Sequence, residues 1–218
     1  MLTPSDLVFL AGDRFADAPR RFRVACSLPG GASADAASLA EAVTAAALLA
    51  LELDGRIRLT REPKKELLGL RKTHTVRAER VAGADAPPAH SLEASLLDAV
   101  GGGRDEVDRV VYRWFRADET VPATVLLDRV RDGLVVRGLV ERVETRTKQL
   151  LWTRTAVSYA LPEATRSALT GDAADALLAL LADAGGRPEL RETLRVEIKQ
   201  GFDQRVDHGD PNLHHASD

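Results

Sequence analysis

The stretch Ala34 to Leu59, ADAASLAEAVTAAALLALELDGRIRL, decides the fold. Leu39, Val43, Ala46, Ala47 and Leu51 recur at the three-to-four-residue spacing of one buried helix face. Leu48, Leu49 and Leu53 widen that face, so a helix from about Ala34 to Asp54 is expected at the centre of the protein. Gly55 stands where helices commonly end in a left-handed residue. Arg56-Ile57-Arg58-Leu59-Thr60 then alternates like a half-buried strand. The unit of helix, glycine and strand recurs. Leu126, Leu127, Val130, Leu134 and Val135 predict a helix over Ala123 to Arg137, Gly138 ends it, and Leu139 to Val143 reads as a strand.

Toward the N-terminus, Thr3, Pro4, Ser5 and Asp6 supply the capping and first-turn chemistry of a short helix within Met1 to Ala11. Phe22 to Leu28 reads as a short strand with Arg20, Arg21 and Arg23 at its start and a Pro29-Gly30-Gly31 turn at its end. Toward the C-terminus, Leu67 to Val81 is a basic stretch with strand character, and Gly83 to Pro88 is a loop. Ser91 opens a helix that Gly101 to Gly103 stops, and Val107, Val110, Val111, Trp114 and Phe115 form the apolar face of another over Asp105 to Arg116. Thr145 to Leu161 is expected to form a β-hairpin arm, and helices are expected over Ala173 to Ala182 and Pro188 to Lys199. The fold class is therefore mainly α: a single-domain helical bundle over residues 1–200 with short strands and a protruding hydrophobic hairpin. Residues 201–218 are acidic, rich in Pro, His and Asp, and expected to be a flexible tail.

The 218 residues are 44% hydrophobic and 29% charged with a net charge of -3, which points neither to strong nucleic-acid attraction nor to extreme acidity. The distribution is less even. Nine Lys/Arg between Arg56 and Arg80 face only Glu62, Glu66 and Glu79. Arg56, Arg58 and Arg61 are expected to share one face of a strand there, either solvated and paired with acids elsewhere or turned to an anionic partner. Cys26 is the only cysteine, so an internal disulfide is excluded and a reducing cytoplasm fits. It reads as a small buried residue. Met1 to Leu10 has no basic leader, and no stretch approaches the ~20 apolar residues of a membrane span, so any membrane association is expected to be peripheral.

Phosphate-loop, dinucleotide, zinc-protease and nucleophile-elbow patterns are missing, and no enzyme chemistry or cofactor is expected. His208, Asp210, His214 and His215 lie in the tail without a shell to orient them, and no metal site is expected. The helix over Ala123 to Arg137 followed by a hairpin also reads as the helix and wing of a nucleic-acid-binding regulator, the alternative function.

Four segments resemble the Golgi phosphoprotein 3 family, which has bacterial members: Leu2-Thr3 with Asp6 to Leu10; Leu48 to Leu59; Leu134-Val135-Val136-Arg137-Gly138-Leu139-Val140; and Lys148-Gln149-Leu150-Leu151-Trp152. The resemblance implies a peripheral, cytoplasmic protein without enzymatic activity whose basic pocket binds an anionic lipid headgroup, phosphatidylinositol 4-phosphate in eukaryotic members. It also implies a hydrophobic hairpin, here Thr147 to Leu161 with Leu150, Leu151 and Trp152, that enters the bilayer or mediates self-association into a homo-oligomer, and membrane-protein clients as partners. By alignment the family's pocket arginines fall at Thr44, Thr124 and Leu127, and its aromatic residue at Phe22. Arg129, Arg131, Arg20, Arg21 and Arg23 are the basic residues expected to complete a headgroup site.

Overall fold

The computed structural model describes residues 1–66, 71–115, 122–149, 152–169, 175–176, 179–180 and 186–209, with side chains described except at 65–66, 71–72, 147–149, 152–154 and 204–209. Helix α1 (Pro4–Leu10) starts in a capping box. Asp6 N–H donates to Thr3 Oγ1, and Thr3 N–H donates to the Asp6 carboxylate at 2.8 Å. A short strand pair, β1 (Ala25–Ser27) and β2 (Ser33–Asp35), leads into α2 (Ala36–Leu53), whose first turn is capped by Asp35 accepting from Ser38 N–H at 2.9 Å. Helix α2 is long and apolar enough to cross a membrane, but 61% of it is buried inside the protein. It is the core helix, and α1, α3 (Leu92–Val100), α5 (Pro122–Val136) and α7 (Pro188–Gly209) pack around it.

Gly55, at φ 68°, ends α2 and turns the chain into β3 (Ile57–Glu66). Antiparallel β4 (Arg71–Arg80) pairs with β3 in the register Leu59 to Ala78 and Arg61 to Val76, and β5 (Arg104–Glu106) adds a third strand. Ile57, Leu59, Val76 and Ala78 are buried where this sheet meets the helices. Helix α4 (Val107–Trp114) follows β5 directly and packs against α3 and α7. Gly138, at φ 68°, repeats the helix-to-strand turn after α5 and leads into the antiparallel pair β6 (Glu141–Gln149) and β7 (Trp152–Ala160), before α6 (Glu163–Leu169).

Three expectations change. The architecture is mixed rather than a helical bundle with short strands, because among the described residues two antiparallel hairpins of nine- and ten-residue strands stand beside seven helices. Arg58 and Arg61 do not share a face, since they lie three positions apart in an unbroken strand and side chains alternate at every residue. The arm begins at Glu141 rather than Thr147, absorbing the strand expected to end at Val143; no turn residue separates the two, and Val143, Thr145 and Thr147 suit a pleated strand. The described side chains from Glu141 to Arg146 and from Thr155 to Ser158 are exposed, so the arm projects. Its described stem is largely polar, with Arg142 paired to Glu144 at 2.9 Å, although Val143 and Val157 are also exposed on it. Leu150 and Leu151 lie outside the described residues, as does the Trp152 side chain.

The last helix also runs further than expected. α7 continues through Gly201, where the tail was expected to start, and buries Phe202 against Phe115 with ring centroids 5.6 Å apart. The helix expected over Ala173 to Ala182 falls largely outside the described residues.

Candidate functional site

A cleft of about 620 Å³ opens at the root of the arm, between the β1–β2 turn, α5 and β7. Thr124, Leu127 and Arg131 line it at the spacing of successive turns on one face of α5, and Cys26, Ser158 and Tyr159 face them. Arg131 is the only basic residue lining it among the described residues. Its side chain is only 15% exposed, and its guanidinium carbon lies 5.0 Å from the Tyr159 ring and 6.0 Å from the Phe9 ring. Nη1 donates to Asp128 at 2.6 Å, Nη2 lies 3.5 Å from Cys26 Sγ, and Nε is buried without a hydrogen-bond acceptor among the described residues. A largely buried, aromatic-flanked guanidinium is weakly hydrated and geometrically fixed, a state suited to pairing with a carboxylate or phosphate. Burial pushes the Cys26 thiol above its ordinary value, although Arg131 opposes this. The thiol is accordingly a neutral wall of the cleft rather than a nucleophile.

Apart from Thr124 and Leu127, the other residues singled out from sequence do not converge on this cleft. Thr44 is fully buried in α2, where its hydroxyl donates to the Ala40 carbonyl at 2.8 Å, so it cannot meet a ligand. Leu127 is 1% exposed and offers the cleft only an apolar edge. Arg129 stacks over Trp114 at 4.6 Å in a separate depression that Ser95 also lines. Arg23 pairs with Asp35 at 3.5 Å on the wall of a second cleft of about 700 Å³, between the start of α2 and α7. That cleft is lined by Asp17, Asp35, Glu41, Glu192 and Asp203 against Arg23, Arg195 and Lys199, an acidic balance that disfavours an anion. Arg20 pairs with Asp17 at 3.3 Å, Arg21 lies over Phe22, and Phe22 is exposed. Thr124 lines both clefts.

Of the basic segment Arg56 to Arg80, most described side chains pair with acids. Arg61 meets Glu189 at 2.7 Å, Lys64 meets Glu106 at 2.9 Å, and Arg77 meets Glu62 at 3.1 Å. These pairs hold β3 and β4 to α7 and β5. The internally paired reading thus describes Arg56, Arg61, Lys64 and Arg77. Tyr159, Cys26 and Asp128 complete the Arg131 site without having been expected there, because only tertiary packing brings β1, α5 and β7 together.

The family model for Golgi phosphoprotein 3 (GPP34) matches residues 27–214. The chain belongs to the Golgi phosphoprotein 3 family. No curated protein and no solved structure matches it. Within the matched span lie α2, both long hairpins and most of the lining of the Arg131 cleft, whereas α1, Ala25 and Cys26 precede it. In this Golgi phosphoprotein 3 family member, two aligned pocket positions, Thr124 and Leu127, border one cleft, and Arg131 supplies the charge beside them.

Proposed function

We propose that this protein is a peripheral membrane protein that binds anionic lipid headgroups, with a phosphate group of a phosphoinositide-like lipid held by Arg131 at the root of the arm, and that it acts as an adaptor without catalysing a reaction. The observation that carries this reading is the coincidence of a buried guanidinium with a projecting hairpin. A headgroup phosphate exchanges with the exposed Asp128 for Nη1 of Arg131. Thr124 and Ser158 also line the cleft. The arm then meets the bilayer beside the bound headgroup. Headgroup attraction and shallow insertion are each weak, and together they suffice for reversible docking. Membrane-protein clients and self-association belong to the same reading.

The nucleic-acid alternative is less favoured by the geometry. The apolar face of α5 is buried, and its outward side carries the exposed Asp128 and Asp132, which would repel a phosphate backbone. Arg131→Gln should weaken binding to anionic vesicles by about five- to tenfold, and Asp128→Asn should strengthen it by removing the competing carboxylate. Both variants are to be compared by co-sedimentation after their melting temperatures are checked. Folded variants with wild-type affinity would remove Arg131 from the headgroup site, and equal affinity for duplex DNA would favour the alternative.

A further inference from the structure

The Arg131 cleft has a charge balance that discriminates among anionic ligands. Among the described residues, Arg131 and Asp128 are the only charged side chains lining it. Burial, opposed by Arg131, keeps Cys26 a neutral thiol, and the rest of the lining from β1, α5 and β7 is uncharged. Arg142, opposite Tyr159 in the arm, has its charge met by Glu144 at 2.9 Å. The Asp128 carboxylate reaches Arg131 at 2.6 Å from a side chain that is 62% exposed, whereas the guanidinium is largely buried and flanked by the Tyr159 ring. A ligand can therefore displace Asp128 from the guanidinium, but Asp128 stays within one turn of α5 with its charge intact. One fixed cation beside one anion accommodates a single negative charge. A second one would meet no further cation among the described lining residues and would face Asp128, and like charges set side by side are penalised. At about 620 Å³ the cleft has room for headgroups with or without an added phosphate, so charge rather than size makes the choice.

We infer that Arg131 takes the singly charged phosphodiester of a phospholipid whose headgroup is otherwise neutral, such as glycerol or unphosphorylated inositol, and that Asp128 disfavours a headgroup carrying a further phosphomonoester. The inference rests on the headgroup reading above and narrows its lipid class. It departs from the phosphatidylinositol 4-phosphate that the family resemblance implies. A phosphomonoester carries about −1.5 to −2 charges at pH 7, so a headgroup that bears one exceeds what a single guanidinium neutralises.

The test sediments the full chain with zwitterionic phospholipid vesicles whose equal surface charge is supplied either by phosphatidylglycerol or by phosphatidylinositol 4-phosphate. Matching the charge removes the general attraction that any basic surface feels. The inference predicts about two- to fivefold tighter binding to the phosphatidylglycerol vesicles, the range of one exposed charge contact. Asp128→Asn, its melting temperature checked, should narrow that preference because the repelling carboxylate is gone. Equal or tighter binding to the phosphatidylinositol 4-phosphate vesicles overturns the inference and leaves headgroup binding standing, and so does a preference that Asp128→Asn leaves unchanged. Soluble glycerophosphoglycerol should compete only well above the lipid's own concentration, and displacement at equal concentration overturns a lipid as the source of the diester. If neither kind of vesicle pellets the protein, the inference and the headgroup reading fall together.

Discussion

Replacing Gly201 by alanine should destabilise the protein, opposite to the usual sign of that change inside a helix. Alanine is favoured over glycine in a helix interior by about 1 kcal/mol. At Gly201 an added Cβ would lie 2.7 Å from the Asp108 carbonyl oxygen and 2.8 and 2.9 Å from Val111 Cβ and Cγ1. Ordinary contact needs roughly 3.5 to 4.0 Å, so α4 and α7 must part by about 1 Å. That seam holds Phe115 against Phe202 and encloses Leu194 and Ile198, and a backbone carbonyl cannot rotate out of the way as a side chain can. Overpacking costs typically about 1–3 kcal/mol, and this rigid contact belongs in the upper half, which leaves a net loss of about 1–2 kcal/mol. For a chain of this size that is about 2–8 °C in melting temperature. Urea denaturation followed by far-ultraviolet circular dichroism measures it directly. A variant as stable as wild type, or more stable, would refute the close packing of α7 on α4.

Other contacts give equally definite outcomes. Arg137 grips the buried Asp6 with bonds of 2.7 and 2.6 Å, so Arg137→Met should cost about 3 kcal/mol, and adding Asp6→Asn should recover more than 1 kcal/mol of it; a double-mutant cycle by denaturation checks this. Burial first, and the Asp108 carboxylate second, raise Glu197 above its ordinary 4.5. The folded state therefore keeps this proton longer than the unfolded one, and stability falls as pH rises from about 4.5 through the raised folded value. Glu197→Gln should flatten that fall in denaturation measured at several pH values, and an unchanged slope would contradict the assignment. Gly55→Val should lose about 1–3 kcal/mol at the φ of 68°, read as a lower melting temperature.

The core was legible where one local rule sufficed. The periodicity of Leu39, Val43, Ala46 and Leu51 locates α2, and Gly55 and Gly138 mark its end and that of α5 because both need a left-handed backbone. Gly201 misleads for a physical reason. A glycine can end a helix or let another helix approach, and only the position of Asp108 and Val111 distinguishes the two. The same limit applies to the cleft. Arg131 is visible in sequence as a basic residue near the aligned positions, but its setting depends on Cys26, Asp128 and Tyr159, more than a hundred residues apart along the chain at the extremes. Thr44 shows the converse, since an aligned position on α2 is enclosed by the helices packed around it.

The central claim is tested most directly by sedimenting the full chain with vesicles of a zwitterionic phospholipid alone and with the same vesicles containing an anionic phospholipid. The account predicts that the protein pellets only with the anionic vesicles and is released as salt is raised, because exposed charge attraction is screened within about 10 Å at 0.1 M salt. Protein that stays in the supernatant with both vesicle types, or pellets equally with both, would contradict headgroup binding.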